Sequence, residues 1–172
     1  MKLAHVTPPE DNGIPQSIEK GRTKMDSADL VACVGKPLES AEVQSLLARL
    51  GVTQQIRIPK DDNEARVSLH SQGLSLIFKA EGSKSSRLKL DTVQFISSEE
   101  EGFTSFSGPL PGGLSFSDVQ ADAQRKLGES IHSDDEMRLE IWSYGALELS
   151  IDYGKDAPHR ASTIGVSPPY EG

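Results

Sequence analysis

Apolar residues recur at helical spacing in two similar stretches of the chain. The first is GKPLESAEVQSLLARLG, residues 35–51, and the second is GPLPGGLSFSDVQADAQRKLG, residues 108–128. Each begins with a turn rich in Gly and Pro, continues through Ser residues suited to an N-cap, and ends at a Gly that can take positive φ as a C-cap. We predict helices at about 40–50 and 117–127, and infer one structural unit used twice.

Short runs that alternate between apolar and polar residues follow both predicted helices, with the period of β-strands. The first set is QQIRIP, ARVSLHS, GLSLIFKAEG and SRLKLDTVQFI; the second is MRLEIWSY, GALELSIDYG and, more weakly, ASTIGVS. LHSQGLSLIFKAEG and IWSYGALELSIDYG each predict an antiparallel hairpin, with its turn at Gly73 or Gly145. The alternation changes phase near Asp91 and Thr92, which predicts a β-bulge there.

The alternation in the second hairpin predicts which of its residues face outward. Met137, Leu139 and Ile141 share one face in this pattern, and we expect them to face inward. The opposite, outer face then combines two large aromatics with carboxylates and a guanidinium: Trp142, Tyr144, Glu140, Glu148, Asp152 and Arg138. Exposed aromatics among polar residues are typical of protein interfaces, because they bury a large area with few rotors to immobilise. The alternative is that Trp142 packs in the core.

These patterns predict an α+β fold of two tandem helix-plus-antiparallel-sheet units, with the helices packed on one side of the sheet or sheets. A single curved sheet that carries both helices, or a sandwich of two sheets, is the alternative. Residues 1–24 have no apolar periodicity, so we expect a disordered leader. Residues 25–172 are expected to form a single compact domain of two similar halves, about 30–96 and 103–168.

The net charge of -8 is concentrated in three short acidic runs, KDDNEA, SSEEEG and HSDDEM, all in predicted loops. Such a negative field repels nucleic acid and anionic membranes, and it speeds association with a basic protein. We therefore expect no direct binding of nucleic acid or membrane. The last two runs add six carboxylates to the predicted partner-binding residues: Glu99, Glu100, Glu101, Asp134, Asp135 and Glu136. The alternative is that acidic loops only keep the protein soluble.

The sequence contains none of the common motifs of catalysis, metal binding or cofactor binding. The four His residues stand singly, without the spacing of a zinc site, and GxSxG, GxGxxG and GxxxxGK[ST] are absent. We therefore expect no catalytic residues, no metal and no cofactor, and a protein that is not an enzyme. Cys33, the only Cys, lies in the apolar context LVACVG. Since no apolar run is long enough for a signal peptide, these features favour the cytoplasm.

The order of these features resembles the immunity proteins of bacterial polymorphic-toxin systems, of the type VI secretion and Rhs types. The resemblance covers about residues 30–168 and rests on GKPLESAEVQSLLARLG, the strands around GLSLIF, FTSFSGPLPGGLSFSDVQADAQRKLG and the Trp-bearing and final strands that follow. It implies a non-enzymatic inhibitor that occupies the active site or substrate groove of one cognate toxin.

The acidic charge of the chain narrows that expectation to a basic toxin, and to a nuclease rather than a membrane or cell-wall enzyme. A nuclease must present a positive groove to phosphate, so a negative protein is suited to block it. Two alternatives stay open: a secretion adaptor or chaperone for an effector, and an enzyme with a site that the sequence does not reveal.

Overall fold

The computed structural model describes residues 25–82 and 85–171, and within these ranges seven strands form one antiparallel sheet. The helices are α1 (Ser27–Val31), α2 (Ala41–Arg49) and α3 (Gln120–Leu127). The strands are β1 (Glu64–Leu69), β2 (Leu74–Ala80), β3 (Leu88–Ile96), β4 (His132–Asp134), β5 (Leu139–Tyr144), β6 (Leu147–Tyr153) and β7 (Ala161–Ser167). Their order across the sheet is β1-β2-β3-β7-β6-β5-β4.

The single sheet shows that the predicted fold of two tandem helix-plus-sheet units is wrong. β3 and β7 pair in antiparallel register, with Phe95 opposite Ile164, so strands from both parts of the chain belong to the same sheet. Side chains from all three helices and from both parts of the sheet then form one continuous apolar core. Local alternation of apolar residues identifies strands but does not specify which distant strands pair, and this is why it suggested two units.

The local sequence fixes both ends of α2 as predicted. Ser40 is the N-cap, and its Oγ accepts the backbone N–H of Val43 at an N···O distance of 3.3 Å. Gly51 follows the helix with φ 75°. Val43, Leu46 and Leu47 lie on one helical face and are buried, so apolar packing holds α2 against the sheet.

α3 begins at Gln120, later than the predicted start at residue 117. The hydroxyls of Ser115 and Ser117 form a hydrogen bond with each other at 2.8 Å, so neither caps the helix as predicted. The carboxylate of Asp122 accepts the backbone N–H of Val119 at the start of the helix. Ala123 is the buried residue of α3. Leu127 also packs against the core, partly buried, so α3 buries less apolar surface than α2 does.

Both predicted hairpins and the predicted bulge are confirmed. Tyr144 pairs with Leu147 across the turn at Gly145, and the β1–β2 hairpin turns at Gly73, with φ 64°. A Cβ at residue 73 would lie 2.2 Å from the backbone N of Phe106, so this turn requires Gly. In the β2–β3 pair, Ile77 stands opposite Thr92 and Phe78 opposite Leu90, so Asp91 is the extra residue of a bulge.

Residues 54–59, the predicted strand QQIRIP, have no strand assignment. Ile56 and Ile58 in this segment pack against the core beside α2. The HSDDEM run, predicted as a loop, begins with the short edge strand β4. The predicted leader, residues 1–24, lies outside the described residues. Among the helices described here, none has the length and apolar character needed to cross a membrane.

Candidate functional site

One face of the sheet, here called the open face, lies opposite the apolar core and receives no buried side chain from α1, α2 or α3. A row of neighbouring residues crosses all seven strands on this face: Ser68, Ser75, Gln94, Gly165, Ser150, Ile141 and His132. Its centre is low, because Gly165 has no side chain and its neighbour Ser150 has a short one, whose Oγ would lie 2.7 Å from a Cβ at residue 165. Two depressions of about 340 and 640 Å³ lie on the open face.

The charges on the open face are distributed unevenly between its two sides. On β1–β3 two of the cations have carboxylate partners, since Arg66 contacts Glu64 and Lys79 contacts Asp91, both at 3.2 Å. Lys89, opposite Lys79 on β3, forms no ion pair among the described residues. On β6, Glu148 and Asp152 form no ion pair with any residue in 25–82 or 85–171. The β6 side therefore presents negative charge that a partner can neutralise.

Two of the three acidic runs lie at the same end of the sheet. Glu99, Glu100 and Glu101 follow β3, while Asp134 ends β4 and Asp135 and Glu136 lie in the turn between β4 and β5. Because β3, β7, β6, β5 and β4 are consecutive neighbours in the antiparallel sheet, the end of β3 and the β4–β5 turn lie on the same edge. At the usual strand spacing, about 20 Å separates the two runs. We call this edge the acidic end.

Asp152 connects the acidic end to the open face. It is the last open-face residue of β6 and lines a depression together with Glu100. Desolvation by the surrounding side chains, and then the negative charge of Glu100, raise the pKa of the Asp152 carboxyl above its ordinary value. A cation bound here would relieve the repulsion between these carboxylates.

The expectation that Trp142 and Tyr144 face outward is wrong. Trp142 stands opposite Leu149, on the core face of the sheet, and is 2% exposed. Its indole N–H donates to the carbonyl of Gly128 at 3.1 Å. Tyr144 is partly buried and packs against the same core. Leu139 and Ile141, expected inside, lie partly exposed on the open face with Ser150 and Asp152.

Glu140 was also expected to face outward, but it is 1% exposed and lies between α3 and the sheet. Its Oε1 accepts hydrogen bonds from Gln124 at 2.7 Å, Gln120 at 3.1 Å and Ser130 at 3.5 Å. Its Oε2 accepts the hydroxyl of Tyr153 at 2.9 Å. This network supplies the polar contacts that fasten α3 to the sheet.

Tyr153 remains the proton donor in this network at neutral pH. Burial and then the hydrogen bond to Glu140 raise the pKa of the Tyr153 hydroxyl far above its ordinary value. Gln120, Gln124 and Tyr153 were not predicted as site residues. The signal that could have found them is the pair of glutamines at i and i+4 beside Ala123, because side chains at that spacing share the inward face of a helix.

A pocket of about 450 Å³ opens over Glu140 at the acidic end, and we call it the Glu140 pocket. The N-terminus of α3, the β4–β5 turn and the β6–β7 loop form its walls: Val119, Gln120, Ala121, Ser133, Asp134, Asp135, Arg138, Leu139, Tyr153, Pro158 and His159. Arg138, with φ 52°, and His159, with φ 56°, both adopt left-handed backbone conformations in these walls. Such backbone strain occurs preferentially at functional sites.

Arg138 was predicted on the outer face, yet it lies in the β4–β5 turn and its Nε is 3.4 Å from the carbonyl of Tyr153. Of the predicted site residues, Glu148 and Asp152 lie on the open face, and the two acidic runs lie at its end. Trp142, Tyr144 and Glu140 face the core. Among residues 25–82 and 85–171, no group of three or more His, Cys, Asp or Glu side chains is arranged to hold a metal ion.

Comparison with known proteins gives no family. No family model matches the chain, and no curated protein matches it. A similar solved structure is the crystal structure of a DUF4309 family protein (YjgB) from Bacillus subtilis subsp. subtilis str. 168, with 12% identity and a TM-score of 0.42. The alignment covers 73% of this chain and 77% of that chain. At this level, the likeness carries no argument about function.

Proposed function

We propose that this protein is a binding protein without catalytic activity of its own, which docks a basic protein partner on the open face and the acidic end. The observation that supports this most strongly is the placement of Glu99–Glu101 and Asp134–Glu136, distant in sequence, at one edge of a sheet face that no helix of the described residues covers. Clustered like charges beside a broad surface attract a partner of the opposite sign and orient it before contact.

The open face has the shape and polarity of a surface for a folded partner. Its small central residues, Ser75, Ser150 and Gly165, form a low floor, and longer charged side chains flank it. The basic side chains Arg66 and Lys79 already have carboxylate partners. Lys89 on β3 forms no ion pair among the described residues, but Glu148 and Asp152 leave the β6 side negative, so that side of the face is complementary to a basic surface.

The specific form of the proposal is an immunity protein that inhibits a cognate basic toxin, a nuclease in particular, in the cytoplasm. The sequence resemblance to polymorphic-toxin immunity proteins supports this form, and so does the negative charge. In this proposal the open face covers the positively charged groove of the toxin. Inhibition requires no chemistry from this protein, only slow dissociation.

Immunity proteins of polymorphic-toxin systems are encoded beside their toxins, so the test uses the product of the gene immediately upstream, purified as the binding probe. Ser150→Arg places a long cation on the floor of the open face, and Ser45→Arg places the same side chain on the exposed surface of α2. We expect Ser150→Arg to weaken binding by more than about tenfold, and Ser45→Arg to bind like the wild type. Isothermal titration calorimetry measures both. An upstream product that does not bind the wild-type protein contradicts the immunity proposal, and equal effects of the two substitutions contradict the choice of face.

A further inference from the structure

The carboxylate of Glu140 is buried without a cationic partner. The row of core-face residues that contains it is otherwise largely apolar, with Phe95, Ile164 and Ile151 as its neighbours towards the centre of the sheet. Within residues 25–82 and 85–171, no Lys or Arg forms an ion pair with Glu140, and its four hydrogen-bond donors are neutral groups. A buried carboxylate without a counter-charge is costly, so a cation that reaches it gains a strong interaction.

The hydrogen bonds to Glu140 are distributed unevenly between its two oxygens. Oε1 accepts from Gln120, Gln124 and Ser130, whereas Oε2 accepts from Tyr153 alone among the described residues. Each carboxylate oxygen has two acceptor positions. Gln120 and Tyr153, which donate to the two different oxygens, both line the Glu140 pocket, and Oε2 is the oxygen with more remaining acceptor capacity.

The walls of the Glu140 pocket define what kind of cation fits. Val119 and Pro158 supply apolar surface, while Asp134 and Asp135 add negative charge at the rim. The geometry points to the Glu140 pocket as a binding site for an aliphatic cation, an ammonium or guanidinium group on an alkyl stem, as in a polyamine-type metabolite or an exposed Arg or Lys side chain. The stem would contact the apolar walls and the cationic group would reach Glu140 and Tyr153.

Two positive features of the pocket oppose a cation, against the three carboxylates of Asp134, Asp135 and Glu140 that line it. The N-terminus of α3 has Asp122 as a cap that accepts the N–H of Val119, which offsets the helix dipole. Arg138 lies in the wall with its Nε directed to the carbonyl of Tyr153. The site lies on the helix side of the sheet, so this inference does not rest on the proposed docking of a partner on the open face.

The experiment is an NMR titration of the full chain with agmatine, a short alkyl chain that ends in a guanidinium and an ammonium group. We expect saturable shifts at the backbone amides of Gln120, Leu139 and Tyr153, with a Kd no weaker than about 5 mM. 1-Butanol tests an alkyl stem without a cation, and butyrate tests a stem that carries an anion. We expect no saturable binding of either compound. A blocked Gly-Arg-Gly peptide distinguishes the source of the cation, because its binding shows that a protein side chain also fits.

Three variants locate the site. Glu140→Gln is expected to weaken agmatine binding by about tenfold or more, since it removes the buried charge. Asp135→Asn changes an exposed rim residue that makes no side-chain hydrogen bond among the described residues, and should weaken binding about two- to fivefold. Asp61→Asn makes the same change just before β1, at the end of the sheet opposite the acidic end, and should not affect agmatine binding.

The outcomes separate clearly. Saturable shifts that are lost in Glu140→Gln and weakened in Asp135→Asn, but not in Asp61→Asn, support the site. If Glu140→Gln does not fold, the contrast between Asp135→Asn and Asp61→Asn decides. Absence of saturable shifts in the wild type, equal binding of 1-butanol, or equal effects of the Asp135 and Asp61 substitutions would overturn the inference, whatever the upstream gene product does.

Discussion

Trp142 lies directly opposite Leu149 across the β5–β6 ladder and donates its indole N–H to the carbonyl of Gly128, just beyond α3. Cross-strand neighbours share a face of the sheet, so the position of Leu149 in the core places Trp142 there as well. The only Trp of the chain is therefore a core residue of β5 that is hydrogen-bonded to the C-terminal end of α3. A surface role for this side chain is inconsistent with its burial.

Trp142→Ala should destabilise the fold by about 3–5 kcal/mol, because it leaves a large cavity and removes the hydrogen bond to Gly128. Urea unfolding followed by far-UV circular dichroism measures the change, since the variant has no Trp to report by fluorescence. Tyr170→Ala is the control, because Tyr170 is 88% exposed and its loss should change the free energy of unfolding by less than about 0.5 kcal/mol. Equal stability of Trp142→Ala and wild type would show that Trp142 is not part of the core.

Gly73→Ala and Gly145→Ala should have different costs, although both residues turn a hairpin at φ 64°. Ala at residue 145 meets no atom within 4 Å, so we expect only the conformational cost of about 1–2 kcal/mol. Ala at residue 73 would also lie 2.5 Å from the carbonyl oxygen of Thr104 and closer still to Phe106, and the backbone must shift to admit it. Thermal unfolding of both variants checks this, and a larger loss for Gly145→Ala would contradict it.

Stability should fall at alkaline pH because of Tyr153. The pKa of its hydroxyl is raised in the fold, so the unfolded chain releases this proton first, and stability is lost as the pH rises above the ordinary pKa of about 10. Tyr153→Phe removes this group. We expect the decline above pH 10 to be shallower in the variant, by up to about 1.4 kcal/mol per pH unit, in urea unfolding measured at several pH values. Identical slopes would contradict the prediction.

Asp152→Asn should raise stability at pH 7 while it lowers the rate of association with a basic partner. The raised pKa of Asp152 means that the fold disfavours its ionised form, so the neutral amide removes an unfavourable term. The stability difference from wild type should shrink as the pH falls towards 4, where the wild-type carboxyl takes up its proton. Unfolding at the two pH values, with stopped-flow binding of the upstream gene product, tests both parts. A less stable variant at pH 7 would contradict the first part.

Charge reversal at the acidic end should slow association more than the same change elsewhere. We compare two double variants. The first combines Glu100→Lys and Glu101→Lys at the acidic end, and the second combines Asp61→Lys and Asp62→Lys at the opposite end of the sheet. Both change the net charge equally, but only the first lies at the acidic end. With the upstream gene product at low salt, we expect an association rate about tenfold lower for the first and a smaller change for the second. The difference should diminish as salt shortens the screening length to about 8 Å or less. Equal rates for the two would show that total charge, not its position, matters.

The sequence by itself determined the local elements of this protein. Ser40 and Gly51 delimit α2, Gly73 and Gly145 mark the two hairpins, and the change of phase near Asp91 marks the bulge. Each of these features depends on contacts between residues close in sequence, through caps, turn dihedrals and the alternation of a strand. They are therefore encoded where they occur.

The tertiary structure decided how the elements assemble and which residues form the sites. β3 pairs with β7 because their apolar faces complete one core. Nothing in the local sequence of either strand identifies the other as its partner. The direction of Trp142 and Glu140 follows from the register across Gly145, which pairs Tyr144 with Leu147, whereas apolar alternation in β5 suggested the opposite face. The acidic end is likewise formed by strand order, since the sheet brings together loops that the chain keeps far apart. Burial and long-range pairing are properties of the whole fold, and a local pattern cannot contain them.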